Sequence, residues 1–304
     1  ARVKDRPYAR GSAAAMRLLV ALCCVAAVES LSPPPPRSAV TPRGAPSKGA
    51  AASQSAATQL PDGRAYRIFA DDTALSNFIR GRIAALAVDC IGRKGGFSVS
   101  VGSGTTVAPL KTLIDDARID FSKFHVFFGN ERTEGETAGK CFEGAAFIAE
   151  CGVPAANVHR VPAGDPAKSA ADYEALLRAQ PEGVVGRSER SGLPALDLVL
   201  LGSGADGHTA SLYPGSPQVL ESRGAVCVPA AGKGGVTLTI DAIGSARLVL
   251  ISAGKAAQAG MVAAALGPAG HGLPAGLISA NDGTAVEWLL TEASAAQLTQ
   301  RRPT

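Results

Sequence analysis

After about residue 60 the chain alternates short, strongly apolar runs with longer stretches of helical periodicity, and few architectures accommodate that alternation. Segments 97–101, 124–128, 158–161 and 196–201 read as strands, the last the most strongly apolar, and further ones follow at 226–228, 236–240 and 247–252. Between them lie helical patterns at 72–88, 108–117, 137–151, 166–180 and 255–266, with a last strand and helix around 286–298. Asp165 stands where an N-cap is expected, and Pro109 sits in a first turn, where its missing N–H costs nothing. Strands that alternate with helices belong in a mainly parallel sheet covered on both faces. The expected fold is α/β: a single doubly wound, mainly parallel sheet with helices on both faces. Ligand sites in such folds lie at the carboxyl ends of the strands.

The first sixty residues read differently. From Met16 a Met-Arg pair precedes an apolar run over 18–28, too short to span a bilayer but suited to the core of a signal peptide. Residues 31–61 contain no acid and are dominated by Ser, Ala, Pro, Arg and Lys, the composition of a transit peptide. Residues 1–60 are therefore expected to form a disordered targeting leader, and 61–304 one catalytic domain. Signal followed by transit points to a plastid; a cytoplasmic location is the alternative. The net charge is +4, and much of the excess comes from the leader, so no polyanion-binding surface and no nucleic-acid partner are expected. No membrane association is expected of the mature form, and a monomer is anticipated. The six cysteines lack C-x-x-C spacing; the four beyond the leader (Cys90, Cys141, Cys151 and Cys227) read as buried, reduced thiols.

Chemistry concentrates at the ends of the apolar runs. The stretch "LGSGADGHTASLYPG", 201–215, carries Gly202, Gly204 and Gly207 in the spacing G-x-G-x-x-G, with Glu221 at about the distance of a ribose contact. A dinucleotide turn must open a long helix, whereas Pro214 and Gly215 follow within a few residues, so that reading is set aside. Asp206 and His208, two apart across Gly207, can both project above the strand end. An imidazole titrates near neutrality, and a carboxylate beside it can fix its tautomer, which is the outline of a general base. A histidine merely hydrogen-bonded within its loop fits the stretch equally well. No metal site is expected, because His125, His159 and His271 are far apart in sequence.

Two further turns lie at strand ends. "VGSGTTV", 101–107, offers backbone N–H groups and the hydroxyls of Ser103, Thr105 and Thr106 to an anion such as a phosphate. "FFGNERTEG", 127–135, offers Arg132, a fork-shaped cation. Lys255, just after another strand, adds a second cation. An ordinary turn, a surface ion pair and a solvated lysine are the plain readings of these three.

The run "LDLVLLGSGADGHTASLYPGS", 196–216, resembles the signature of the 6-phosphogluconolactonases: a strand, a Gly-rich turn, Asp-Gly-His-Thr, a small residue, Ser-Leu, an aromatic and Pro. The resemblance runs from about 62 to 298. Gly102-Ser103-Gly104-Thr105 stands where the family usually has Ser-Gly-Gly-Ser, Asn130 replaces an aspartate, and Gly235 stands at a usual arginine; Arg132 and Lys255 match. The resemblance implies hydrolysis of 6-phospho-D-glucono-1,5-lactone to 6-phosphogluconate, in the oxidative pentose phosphate pathway and without metal or organic cofactor. It implies His208 as base and Asp206 as its orienting partner. Gly102, Ser103, Gly104, Thr105, Thr106, Arg132, Gly204 and Lys255 would bind substrate, with turn amides or Arg132 at the developing oxyanion. A related enzyme type, glucosamine-6-phosphate deaminase/isomerase, shares Asp-Gly-His but continues Ile-Ala-Phe-Asn-Glu, unlike Thr209–Tyr213 here. A non-catalytic sugar-phosphate binder is the other alternative.

Overall fold

A computed structural model of the chain describes residues 56–220, 224–232, 234–267, 272–279 and 284–298. The expected leader lies outside these residues except for its last five positions, and so do Glu221, His271 and the side chain of Thr105.

The strands are β1 (Thr58–Gln59), β2 (Ala65–Phe69), β3 (Phe97–Val101), β4 (Phe124–Phe128), β5 (Asn130–Arg132), β6 (Gly186–Arg187), β7 (Pro194–Ala195), β8 (Leu198–Gly202), β9 (Cys227–Pro229), β10 (Gly235–Leu238), β11 (Leu248–Ala253) and β12 (Ala285–Thr291). Seven of them form the main sheet in the order β1-β2-β12-β11-β8-β3-β4. Every pairing in it is parallel except the short β1–β2 pair at one edge. β3 is buried at all five residues and β12 at all but its first, which requires cover on both faces. The core therefore sits on either side of the sheet, with Phe97, Phe124, Phe127, Phe128 and Trp288 among its fully buried side chains. β5, β10 and β9 form a separate antiparallel sheet, and β6 and β7 a two-stranded ribbon.

Helix Asp72–Lys94 starts where Asp71 accepts the Ala74 N–H at 2.8 Å and stops at Gly95, whose φ of +83° is a left-handed cap. It runs six residues beyond the expected 88, as far as that glycine allows. Helix Pro166–Arg178 begins as expected, with Asp165 accepting the Lys168 N–H at 2.9 Å. Three expectations fail. The segment 108–117 is 3-10 rather than α, over Ala108–Asp115. The helix expected at 137–151 breaks into Lys140–Gly144 and Phe147–Glu150, because its first turn is diverted to a buried carboxylate described below. Residues 158–161 form no strand: a single parallel bridge joins Val158 to Val126, and the chain then reaches Pro162, which has no N–H to continue a ladder.

Asp197, 1% exposed, ties the amino ends of the strands together. It accepts the Ser98 N–H at 2.8 Å and the Ser98 hydroxyl at 3.0 Å, and pairs with Lys94 at 2.9 Å. The carboxyl ends are thereby left for chemistry. Cys90, Cys141, Cys151 and Cys227 are free and buried, and burial is the main cause that raises each thiol, Cys90 to about 11 and Cys141 to about 12. They are core residues, as the spacing implied.

Candidate active site

β8 ends at Gly202 and the chain doubles back at once. The Thr209 hydroxyl donates to the Gly202 carbonyl at 2.8 Å, and isolated bridges join Ser203 to Thr209 and Thr209 to Leu212. Within this loop the Gly204 N–H donates to the His208 carbonyl at 2.8 Å and the Gly207 N–H to the Gly204 carbonyl at 3.0 Å. Gly207 has φ of +86°, a conformation that glycine adopts without penalty. A Cβ there would also lie 2.8–3.0 Å from the Leu273 side chain. The loop is a compact turn, and the next helix, Pro217–Leu220, is four residues long, so nothing here could receive a dinucleotide in the Rossmann manner.

The turn presents one pair. His208 Nδ1 lies 2.5 Å from Asp206 Oδ1, and the same carboxylate oxygen accepts the His208 backbone N–H at 3.1 Å. Burial alone would raise the Asp206 pKa, but the backbone and ring N–H groups of His208 outweigh it, and the net shift is downward. Asp206 is thus an anion at neutral pH. With Nδ1 facing Asp206, Nε2 is the ring nitrogen left for a ligand. Gly204 makes the pairing possible: a Cβ at that position would overlap both the His208 ring and the Asp206 carboxylate.

His208 opens onto a cavity of about 520 Å³ at the carboxyl ends of the strands. Gly102, Ser103, Gly104 and Thr106 line it from the turn after β3, Asn130 from beyond β4, Ser203, Gly204 and His208 from beyond β8, and Gly254, Lys255 and Gln258 from beyond β11. Gln258 is buried and bridges two of these loops, accepting the Lys255 N–H at 2.7 Å and donating to the Ser203 carbonyl at 2.5 Å. Asn130 donates to the Ser211 hydroxyl at 3.0 Å and so ties the β4 end to the histidine loop. Thr106 is 4% exposed, and its hydroxyl has no hydrogen-bond partner within the described chain. An anhydride, ester or phosphate entering this space would meet backbone amides and hydroxyls on one wall, a cation and an imidazole on others.

A family model described as glucosamine-6-phosphate isomerases/6-phosphogluconolactonase matches residues 70–288. The chain belongs to the glucosamine-6-phosphate isomerase/6-phosphogluconolactonase family. It is 31% identical over 248 residues to the probable 6-phosphogluconolactonase 2 of Arabidopsis thaliana, a match over 76% of this chain and 95% of that protein. It is 33% identical over 163 residues to the probable chloroplastic 6-phosphogluconolactonase 3 of Oryza sativa subsp. indica, with 51% of this chain and 50% of that protein covered. The chain therefore spans about half the length of some of the curated relatives it matches. Among solved structures, a 6-phosphogluconolactonase of Trypanosoma cruzi shares the fold, with a TM-score of 0.64 at 21% identity over 79% of this chain and 99% of that one.

The family resemblance groups Arg132 with the phosphate turn, and the structure separates them. Arg132 closes β5 and lines a second, smaller depression with Gly139, Arg160 and Pro162, while its neighbour Asn130 faces the main cavity. Between them Glu131, buried at 4% exposure, accepts the backbone N–H groups of Arg132, Cys141 and Phe142, each at 2.9 Å, which ties the end of β5 to helix Lys140–Gly144. Across the β5–β10 pair, Gly235 sits opposite Arg132, and a Cβ there would overlap the Glu131 carbonyl. In this chain, then, a side chain at position 235 would meet the backbone of β5. Asp72, Ser76, Asn130, Ser203 and Gln258 line the cavity without having been singled out as ligand contacts; Asp72 and Ser76 were legible only as the start of a helix.

Proposed function

We propose that the chain hydrolyses 6-phospho-D-glucono-1,5-lactone to 6-phosphogluconate, the lactone-opening step of the oxidative pentose phosphate pathway, with His208 as general base. The observation that carries this reading is the 2.5 Å contact between His208 Nδ1 and Asp206 at the mouth of a polar cavity. Nε2 removes a proton from a water molecule as its oxygen attacks the lactone carbonyl. The resulting tetrahedral oxyanion re-forms the carbonyl, the bond from that carbon to the ring oxygen breaks, and the proton held by His208 passes to the leaving ring oxygen. Asp206 holds the ring in the tautomer that leaves Nε2 free and stabilises the imidazolium while it exists. General acid–base action of this kind contributes about 10²–10⁴-fold.

The phosphate is assigned to the Gly102–Thr106 turn, of which Gly102, Ser103, Gly104 and Thr106 line the cavity, with Lys255 as the cation. The names of the relatives, almost all 6-phosphogluconolactonases, support the lactone as substrate rather than an amino sugar phosphate. Acid–base opening of a lactone calls for no cofactor, and a monomer suffices because one chain supplies every group used.

The expressed protein should release acid from freshly made phosphogluconolactone well above the spontaneous rate, and His208→Ala should return it close to that rate without loss of folding. Equal rates for wild type, His208→Ala and buffer would sink the proposal, and ammonia release from glucosamine 6-phosphate would replace it with the deaminase. We also assign the protein to a plastid, supported by the leader-like composition of residues 1–60 and by relatives named as chloroplastic. A fluorescent reporter behind residues 1–60 should enter plastids; a reporter that stays in the cytosol overturns that assignment.

A further inference from the structure

We infer that Asp72 is a specificity-determining residue: its carboxylate accepts hydrogen bonds from the sugar hydroxyls and sets which way round the phosphorylated lactone lies in the cavity. The inference rests on the hydrolysis proposed above and adds a group to the site.

Asp72 opens helix Asp72–Lys94, but the work of capping that helix falls to its neighbour Asp71. Asp72 itself lines the main cavity, as does Ser76 one helical turn later on the same face. Asp72 is exposed, and among the described residues no hydrogen bond or ion pair holds its side chain. A carboxylate that neither caps nor pairs, turned to a ligand cavity, is available to a ligand. Its approach to the opposite wall is close. A Cβ on Gly254 would stand 2.5 Å from Asp72 Oδ1, so this carboxylate reaches the backbone immediately before Lys255 only because residue 254 is glycine. The Gly254 carbonyl is held in turn by the Thr291 hydroxyl at 2.5 Å, which fixes that wall.

The order of the strands places Asp72 relative to the other groups. Asp72 follows β2, Lys255 follows β11, His208 follows β8, and the Gly102–Thr106 turn follows β3, and the sheet runs β2-β12-β11-β8-β3. The Asp72 carboxylate stands against the Gly254–Lys255 loop after β11, and β8, which carries His208, lies between that strand and β3, which carries the phosphate turn. An ionised carboxylate only accepts hydrogen bonds, so it takes hydroxyls and repels a phosphate. The geometry thus directs the phosphate toward the Gly102–Thr106 turn and the hydroxylated part of the ring toward Asp72, which leaves the carbonyl region in the middle, beside His208.

The test is steady-state kinetics of Asp72→Ala and Asp72→Asn beside wild type, with inorganic phosphate as a competing ligand. Losing hydrogen bonds to a charged acceptor is expected to lower kcat/KM by about 10- to 100-fold, chiefly through KM, in Asp72→Ala. Inhibition by inorganic phosphate should stay as strong or become stronger, because the phosphate turn is untouched and a negative charge has gone. At least one monodeoxy phosphogluconolactone that wild type discriminates against should be handled by Asp72→Ala as well as the full substrate. Thermal unfolding should not move, since Asp71 supplies the cap. An Asp72→Ala variant with the KM of wild type overturns the role given to Asp72 while leaving the hydrolysis intact. Parallel loss of phosphate and lactone binding overturns it too, since that pattern reports a collapsed site. Wild-type protein no faster than buffer overturns both readings together.

Discussion

Gly204 faces the His208 ring and the Asp206 carboxylate across their own turn so closely that no Cβ fits there. Three residues of one loop are thus a single geometric unit. Gly204→Ala should push the imidazole and the carboxylate apart, and a displacement of about 1 Å at a reacting group costs on the order of 10²-fold in rate. Stability should change little, because both side chains are more than a third exposed and can swing toward solvent. Lactone hydrolysis and thermal unfolding measured side by side decide the matter; an Ala variant as active as wild type would show that the pair is not what does the chemistry.

Asp206→Asn keeps the shape of the turn and removes the charge. Because hydrogen bonds from His208 hold the Asp206 pKa below its ordinary value, the wild-type residue is ionised throughout the neutral range. The variant should lose about 10²-fold or more in kcat with KM little altered, since the charge acts on the imidazolium formed during the reaction and not on bound lactone. A change confined to KM would assign Asp206 to substrate binding instead.

Glu131→Ala should destabilise the fold by roughly 3 kcal/mol, as it strips the acceptor from three backbone N–H groups and each one left buried and unsatisfied costs about 1–3 kcal/mol. Urea unfolding will register this as a lower midpoint at unchanged slope. An unchanged midpoint would mean that solvent replaces the carboxylate without penalty.

His125 and His159 meet with Nδ1 and Nε2 3.2 Å apart, and the His159 ring stacks on Phe127 at 4.3 Å. Burial lowers both pKa values, helped for His125 by Lys94 and Lys123 and for His159 by His125, which brings His159 to about 4. The unfolded chain takes up these protons near pH 6.5, whereas the folded chain refuses them until lower pH. The contribution to stability is accordingly complete above about pH 6.5 and is lost as pH falls toward 4. His159→Phe keeps a ring on Phe127 and removes one titration, so its stability relative to wild type should improve steadily over that window. Parallel curves for the two proteins would contradict this.

The sequence revealed the frame better than the site's outer wall. Strands such as 97–101 and 124–128 were legible because short segments rich in Val and Phe stand between helical patterns, and the structure has strands at the same residues. Residues 158–161, Val-His-Arg-Val, were also read as a strand, but there the chain makes one bridge at Val158 and the His159 ring stacks on Phe127, with no ladder. Around the cavity, Gly102, Ser103, Gly104, Thr106, Gly204, His208 and Lys255 lie together because each follows a strand of one parallel sheet. Arg132 lines the smaller depression instead, and the contacts that shape that end of β5, a Glu131 carboxylate accepting three amides as far away as Phe142, leave no local pattern in the sequence. Asp72 escaped notice for the converse reason: in sequence it is one of two acids at a helix start, and only the approach of Gly254 distinguishes it from Asp71.

β12 is made late in the chain and yet lies between β2 and β11, parallel to both. Until residues 285–291 have been synthesised, β2 has only the short β1 beside it and β11 keeps one edge open. A chain cut short before residue 285 would therefore keep the β11-β8-β3-β4 pairings, with the histidine turn and the Gly102–Thr106 turn on them, but would lose the strand that joins β2, and the helix opened by Asp72, to the rest of the sheet.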